Sequence, residues 1–527
     1  MRKYSRFFLC AILILVGGAF LSCKSGTDDL IIEPPTEVDS VQINSPSIKN
    51  AVFKAYDNPQ ILIEDVKGEI IGDSTIEFWI PYILPGKVLM SDIEFEGESL
   101  LWEDSIVSEH PLIDFKAPVK LSVIGIGNIK KDYMVYVHSF TGLPIIWIET
   151  ENRKEILSKT DYVNAHMKLV ENVTTRSLGS TIESELLIKC RGASSFRVAP
   201  KKSYRLKFDK KISLLDEPKD KAWVLIANYF DKTMIRNMIA YYMGKISNLD
   251  YTPRFHYVDM MLNGKYNGTY MLGDKLKESK DRVNVGSDGF LLEFNNDIVR
   301  YGEEGVYFYI DSIKYPIEIK EPEVTVEDSN YNYIKDYLKK AEQALFSENF
   351  KDPENGWQKY MDITSFVDWF IIHEIAKCPD SEMMAKSCFM NLKRGGKLKM
   401  GPLWDFDQSL GNQNVYPEYS PEGFEFEGRK VKWFIRLFED PAFRSLAKER
   451  FSYFYGRKDD IQREINANAQ YLKYSVVEND NKWPTLYEFM PSVNRDVWGS
   501  YQNEVQHLKN WLNLRFEWLK EAFDNLD

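Results

Sequence analysis

Between residues 41 and 140 apolar and polar positions alternate in short runs, clearest at 74–80, 119–124 and 133–137, with Gly, Pro and Asp between them. Alternation of period two sends every second side chain to one face, which is the pattern of a half-buried strand. No run there keeps the three-and-four spacing of a helix, so the pattern predicts a small all-β, immunoglobulin-like sandwich over 41–142. Gly142-Leu143-Pro144 ends it, and Ile145-Ile146-Trp147-Ile148 opens a second β-rich stretch. Strands are predicted there at 186–190, 204–208, 258–262, 265–272 and 290–294, and Asn263-Gly264 predicts a hairpin between the third and fourth. Asp231 reads as the N-cap of a helix running to 243, with apolar residues at 234, 235, 238, 239 and 242. From about residue 327 the period lengthens, predicting helices at 331–346, 363–375, 433–438 and 441–455, with short strands at 387–392 and 397–400. A last helix carries Val505, Leu508, Leu512, Phe516, Leu519 and Phe523 on one stripe. The whole reads as α+β, with a β-rich lobe at 143–326 followed by a helical lobe at 327–525.

The first residues follow a different pattern. Met1-Arg2-Lys3 is basic, 7–20 is apolar but short for a bilayer span, and Leu21-Ser22-Cys23 precedes a polar stretch. Residues 1–22 therefore read as an export signal resembling that of bacterial lipoproteins, in which Cys23 becomes the lipidated first residue. Ordinary cleavage with Cys23 incidental is the alternative. Residues 23–40, with Pro34-Pro35, read as a tether. The expectation is an exported, lipid-anchored protein of the cell envelope, at the outer membrane or cell surface.

Composition narrows the function. With 67 basic and 79 acidic residues the net charge is −12, which argues against nucleic acid as a partner, and 44% hydrophobic content argues against disorder. The six histidines never fall at metal-ligand spacing, so zinc chemistry is not expected. Besides Cys10 and Cys23 there remain Cys190, Cys378 and Cys388, too few for a disulfide framework. They read as buried small side chains, although a bridge between Cys378 and Cys388 is conceivable.

Candidate chemistry gathers late in the chain. The run 397–400 breaks at Gly401-Pro402 and delivers Trp404-Asp405-Phe406-Asp407. Two carboxylates two residues apart suit Mg²⁺ or Mn²⁺ on a phosphorylated substrate. A second acidic turn, Cys378-Pro379-Asp380-Ser381, ends the apolar helix before it. Upstream, Arg191-Gly192-Ala193-Ser194-Ser195 is a turn between strands whose amides and hydroxyls can meet phosphates. Next come Lys201 and Lys202; period two puts Lys202 inward with Tyr204, Leu206 and Phe208, and Lys201 outward with Ser203, Arg205 and Lys207. A lysine at the root of a buried face needs an anion, although a solvated basic edge fits the pattern as well. Glu293, within an apolar strand, also needs a partner and is either a site residue or a satisfied structural one.

Six motifs in order carry a resemblance. They are Arg191-Gly192-x-Ser194-Ser195, Pro200-Lys201-Lys202-Ser203-Tyr204, the helix start at 231–237, Asn263-Gly264-x-Tyr266-x-Gly268-x-Tyr270, the Asp380 turn and Trp404-Asp405-Phe406-Asp407. Together they resemble the spore coat protein H (CotH) kinase family over about residues 145–525, including the closing helices with Trp433 and Trp511. The resemblance implies a divergent, two-lobed protein-kinase-like fold. It also implies ATP- and Mg²⁺-dependent (or Mn²⁺-dependent) phosphorylation of Ser or Thr on secreted or surface proteins. Position by position, Asp380 matches the family's catalytic aspartate, Asp405 its metal-binding aspartate and Lys201-Lys202 its nucleotide-phosphate lysine. Asp407 would assist the metal, and Ser387 stands where members often have Asn. Two other readings remain open. One is a non-catalytic surface lipoprotein that binds a glycan or protein partner; the other is a nucleotide-sugar glycosyltransferase using Asp405-x-Asp407, against which the missing βαβ alternation speaks.

Overall fold

In the computed structural model, residues 45–59, 62, 65–81, 88–171, 180–380, 384–414, 419–425, 431–490 and 496–526 are described. The signal segment, the tether and Cys23 lie outside the described residues. The alternating runs of the first region become strands where the pattern placed them: Thr75–Pro81, Val119–Ile124 and Lys130–Phe140 share a six-stranded sheet. Ser47–Phe53 lies in a separate three-stranded sheet. The apolar positions of both sheets meet in one core, with Phe53 from one and Ile76, Phe78, Leu121 and Val123 from the other.

Seven strands then close into a barrel: Ile145–Thr150, Val163–Val170, Thr181–Arg191, Ser203–Ile212, Asp220–Ile226, Phe255–Leu262 and Lys265–Asp274. Closure comes from parallel pairing of the first with Phe255–Leu262, a contact across more than 100 residues that local alternation cannot announce. Ile188, Tyr204, Leu206, Trp223 and Leu225 fill the barrel. Their neighbours Lys189, Arg191, Arg205 and Val224 consequently face outward.

A five-stranded antiparallel sheet follows, ordered Tyr307–Phe308, Ile317–Glu321, Phe290–Phe294, Cys388–Leu392 and Leu398–Met400. Its last two strands come from beyond residue 327, so strands of the helix-rich half complete a sheet begun in the β-rich half. The helix Ile363–Ala376 runs through the largest core, with Phe366, Trp369, Phe370, Ile371, Ile372 and Ile375 all buried. Every residue from Ser365 to Ala376 is buried, so the two carboxylates among them need partners, and Asp368 and Glu374 are paired with Arg450 and Arg515. Asp362 caps its start by accepting from Ser365 N, and Lys377, at φ +48°, ends it and turns the chain towards Asp380.

One local reading is corrected. The helix expected from Asp231 begins only at Arg236 and runs Arg236–Lys245. The carboxylate of Asp231 holds the preceding turn instead, accepting from Thr233 N at 3.0 Å and Arg236 N at 2.8 Å. Among the described residues no helix is long and apolar enough to cross a membrane. Cys190, Cys378 and Cys388 are buried thiols, as their sparse distribution suggested.

Candidate active site

After Leu398–Met400 the chain turns at Gly401-Pro402, and burial of Trp404 and Phe406 leaves Asp405 exposed and Asp407 half-buried. The two acids reach one side through a turn, with Asp405 at φ +68°, rather than through extended backbone. The turn is fixed from the helix Arg236–Lys245: Phe406 N donates to Asn237 Oδ1 at 2.7 Å, and Arg236 Nε donates to Ser409 O at 3.1 Å. Arg236 is itself paired with Asp231 at 2.5 Å. Phe406 packs on His373, with ring centres 4.8 Å apart, and burial pushes that imidazole down to about 3.

Asp405 and Asp407 line a cavity of about 370 Å³ between the outer face of the barrel and the five-stranded sheet, and Asp380 lines it with them. Burial, with the neighbouring Asp405, pushes Asp380 up to about 6 against the opposing pull of Lys386, whose Nζ is 3.1 Å from Asp380 Oδ1. Asp407 is raised well above the carboxylate range by burial and then by Asp405 and Asp231. Ser387, at φ +55°, donates from Oγ to Asp405 Oδ2 at 3.3 Å. Three acids crowded into one recess hold protons or a cation.

The facing wall is basic. Lys189 and Arg205 are directly opposed on adjacent strands and share the outer face with Arg191, while Lys275 follows the strand Lys265–Asp274. Like charges placed opposite each other repel. Burial, then Arg205, lowers Lys275 to about 7, and burial with Arg205 also lowers Lys189. Burial lowers Arg191 too, against the attraction of Asp405, and its guanidinium lies 5.4 Å from the centre of the Trp404 ring. Among the described residues Arg205 Nε is buried without a hydrogen-bond partner. None of these four cations is paired with a carboxylate among the described residues. The other basic residues of the cavity are paired: Lys159 with Glu303 at 2.7 Å, and Lys320 with Glu293 at 3.3 Å and Glu318 at 3.0 Å.

Of the residues singled out from the sequence, Arg191, Ser195, Glu293, Asp380, Ser387, Asp405 and Asp407 meet in this cavity. Glu293, raised by burial, has its partner in Lys320. The side chain of Ser194 lies outside the described residues. Lys201 and Lys202 do not line the cavity. The strand begins at Ser203, so its alternation does not reach back to them, and their expected positions are reversed. Lys201 is the buried one, 1% exposed, donating to Thr269 O at 2.5 Å and Asn479 Oδ1 at 2.8 Å. Lys202 is half-buried and donates to Phe196 O and Ala199 O, both at 2.7 Å, closing the end of the short helix Ser194–Val198. Sequence reasoning missed Lys189, Arg205, Lys275, Lys320 and Lys386. For Lys189 and Arg205 a signal existed, since basic residues occupy the outward positions of two successive apolar strands.

Among the described residues no group of three His, Cys, Asp or Glu side chains converges as a self-sufficient metal site. Asp405, Asp407 and Ser387 offer hard oxygens from one wall, the partial set that suits an ion completing its shell with phosphate oxygens and water. Compared with known proteins, the chain matches the profile of a family described as CotH kinase protein over residues 188–519, a span holding every cavity residue named above except Lys159. No curated protein matches it.

Proposed function

The chain belongs to the CotH kinase family, and from that premise we propose that it transfers a phosphoryl group from ATP to Ser or Thr hydroxyls of secreted or surface proteins. The observation that carries the reading is the pairing pattern of the cavity: four cations without carboxylate partners face three crowded acids. A polyphosphate with a divalent cation satisfies both walls at once. Arg191, Lys189, Arg205 and Lys275 would hold the phosphates, the role that the motif alone assigned to Lys201 or Lys202. Asp405 and Asp407, with Ser387, would hold Mg²⁺ or Mn²⁺. That ion supplies charge neutralisation on the phosphate oxygens. Asp380 orients the acceptor hydroxyl and takes its proton, a task for which a carboxyl near 6 is suited. The same reading takes the barrel-and-helix body as a divergent two-lobed kinase fold. It takes the N-terminal sheets as an immunoglobulin-like sandwich and Cys23 as a lipid anchor holding the protein at the cell envelope.

The test is incubation of the purified protein with labelled ATP and Mg²⁺ or Mn²⁺, beside Asp380→Ala and Asp405→Ala. Each substitution should lower transfer by about 100-fold or more. Because Asp380 must be ionised to accept a proton, transfer should decline as the pH falls through about 6. Transfer that survives both substitutions removes the site assignment. Absence of nucleotide binding favours the reading as a surface binding module instead.

A further inference from the structure

Lys386 and Ser387 connect the Asp380 turn to the strand Cys388–Leu392, and each reaches one of the two acids. Lys386 Nζ lies 3.1 Å from Asp380 Oδ1, and Ser387 Oγ donates to Asp405 Oδ2. The ammonium is drawn towards Asp405 and Asp297 as well as Asp380. The lysine is thus held against one carboxylate oxygen of an acid that lines the cavity.

In an in-line transfer the acceptor oxygen, the phosphorus and the leaving oxygen lie in a row. In the reading above, Asp380 stands at the acceptor end of that row and Asp405 and Asp407 at the metal end. Lys386 is paired with the first of these and lines the same cavity as the others. The other cavity cations stand elsewhere: Lys320 is clamped by Glu293 and Glu318, Lys159 by Glu303, and the unpaired four belong to the barrel wall.

We propose that Lys386 is a catalytic residue that contacts the non-bridging oxygens of the phosphoryl group in transit, a role that rests on the phosphotransferase reading above. The bond from phosphorus to the leaving diphosphate oxygen breaks, and its electron pair stays on the nucleoside diphosphate. The bond from phosphorus to the acceptor oxygen forms, and the hydroxyl proton passes to Asp380. Lys386 keeps its proton throughout. Its contact is strongest when the phosphoryl group lies between donor and acceptor, so the lysine acts on turnover more than on nucleotide affinity.

Full-length wild type, K386M and K386R test this, with ATP affinity measured by titration calorimetry in Mg²⁺ and kcat measured by label transfer. K386M should lose about 100-fold in kcat while its ATP Kd stays within about threefold of wild type. K386R, which keeps the charge, should recover about tenfold of that loss. A K386M as active as wild type, a kcat loss matched by an equal loss of ATP affinity, or a K386R as impaired as K386M each overturns the role. If K386M does not fold, K386R decides alone, and a kcat below about a hundredth of wild type with ATP affinity kept then overturns it. A wild type that transfers nothing overturns the functional reading and this role together, whereas an active wild type beside an unaffected K386M overturns this role alone.

Discussion

Two adjacent lysines show what decides a side chain's task. Lys201 and Lys202 are chemically identical, and the strand that would sort them begins one residue later, at Ser203. Lys201 instead works as a strut, joining a barrel carbonyl to Asn479 of the helix Ser475–Lys482. Burial lowers it from its ordinary 10.5 to about 7, with the nearby Asp259 opposing. Between those two values the unfolded chain binds the proton that the folded chain has released, so stability contributed here rises with pH. Lys201→Met should therefore flatten the rise in melting temperature between pH 7 and 9 while leaving ATP affinity unchanged. Lys275→Ala, on the cavity wall, should weaken ATP binding about tenfold. Equal losses of affinity in both variants would return Lys201 to the nucleotide site. The acids were legible because two carboxylates two residues apart on a turn are a pair of hard oxygen ligands that suits a divalent cation. The cations were not, because an outward lysine on a strand reads the same whether it meets solvent or a ligand.

At the scale of elements, period and punctuation located most of the longer helices and many of the strands, among them Pro441–Tyr455 and Phe290–Phe294. The strand Val163–Val170 and the helix Lys458–Leu472 went unread, although Ile461, Ile465 and Leu472 keep helical spacing. The helix start after Asp231 was misplaced because a carboxylate holding a turn and one capping a helix leave the same trace in sequence. That turn matters because the helix it precedes supports the acids. Asn237 accepts the buried Phe406 N–H and so fixes the backbone between Asp405 and Asp407. Asn237→Ala leaves that amide unpaired and frees the turn, so it should weaken Mn²⁺ binding by about 10- to 100-fold, the usual cost of losing a group that orients ligands. Titration of the ATP-bound protein with Mn²⁺ measures it, and an unchanged affinity would show that the acids are held in place without this helix.

Long-range pairing is what the sequence concealed at the scale of the molecule: the closing of the barrel, and the sheet that draws strands from both sides of residue 327. Long-range contacts also cross Gly142-Leu143-Pro144, the boundary read between the first β-rich region and the second. In the structure Leu143 is fully buried and Thr141 Oγ1 donates to Asp259 Oδ2 at 2.7 Å. Asp259 is an enclosed barrel residue that also accepts from Thr269 and Tyr266, and burial raises it to about 6. An apolar cluster spans the junction, with Trp79 and Phe140 from one side and Ile145, Trp147, Val170, Met261 and Tyr266 from the other. At the Asn263-Gly264 turn a side chain on Gly264 would sit 3.1 Å from Ile71. Removing residues 46–140 uncovers this surface, and exposing two of its large side chains alone costs about 3–6 kcal/mol. The full chain should melt in one transition that includes the N-terminal sheets, and the truncated chain should melt lower and bind ATP only below its own melting point. Calorimetry of the two proteins decides it: separate transitions in the full chain, with the second unmoved by truncation, would mean that the N-terminal sheets are a passive spacer and that the Thr141–Asp259 contact contributes nothing to the body that carries the acids.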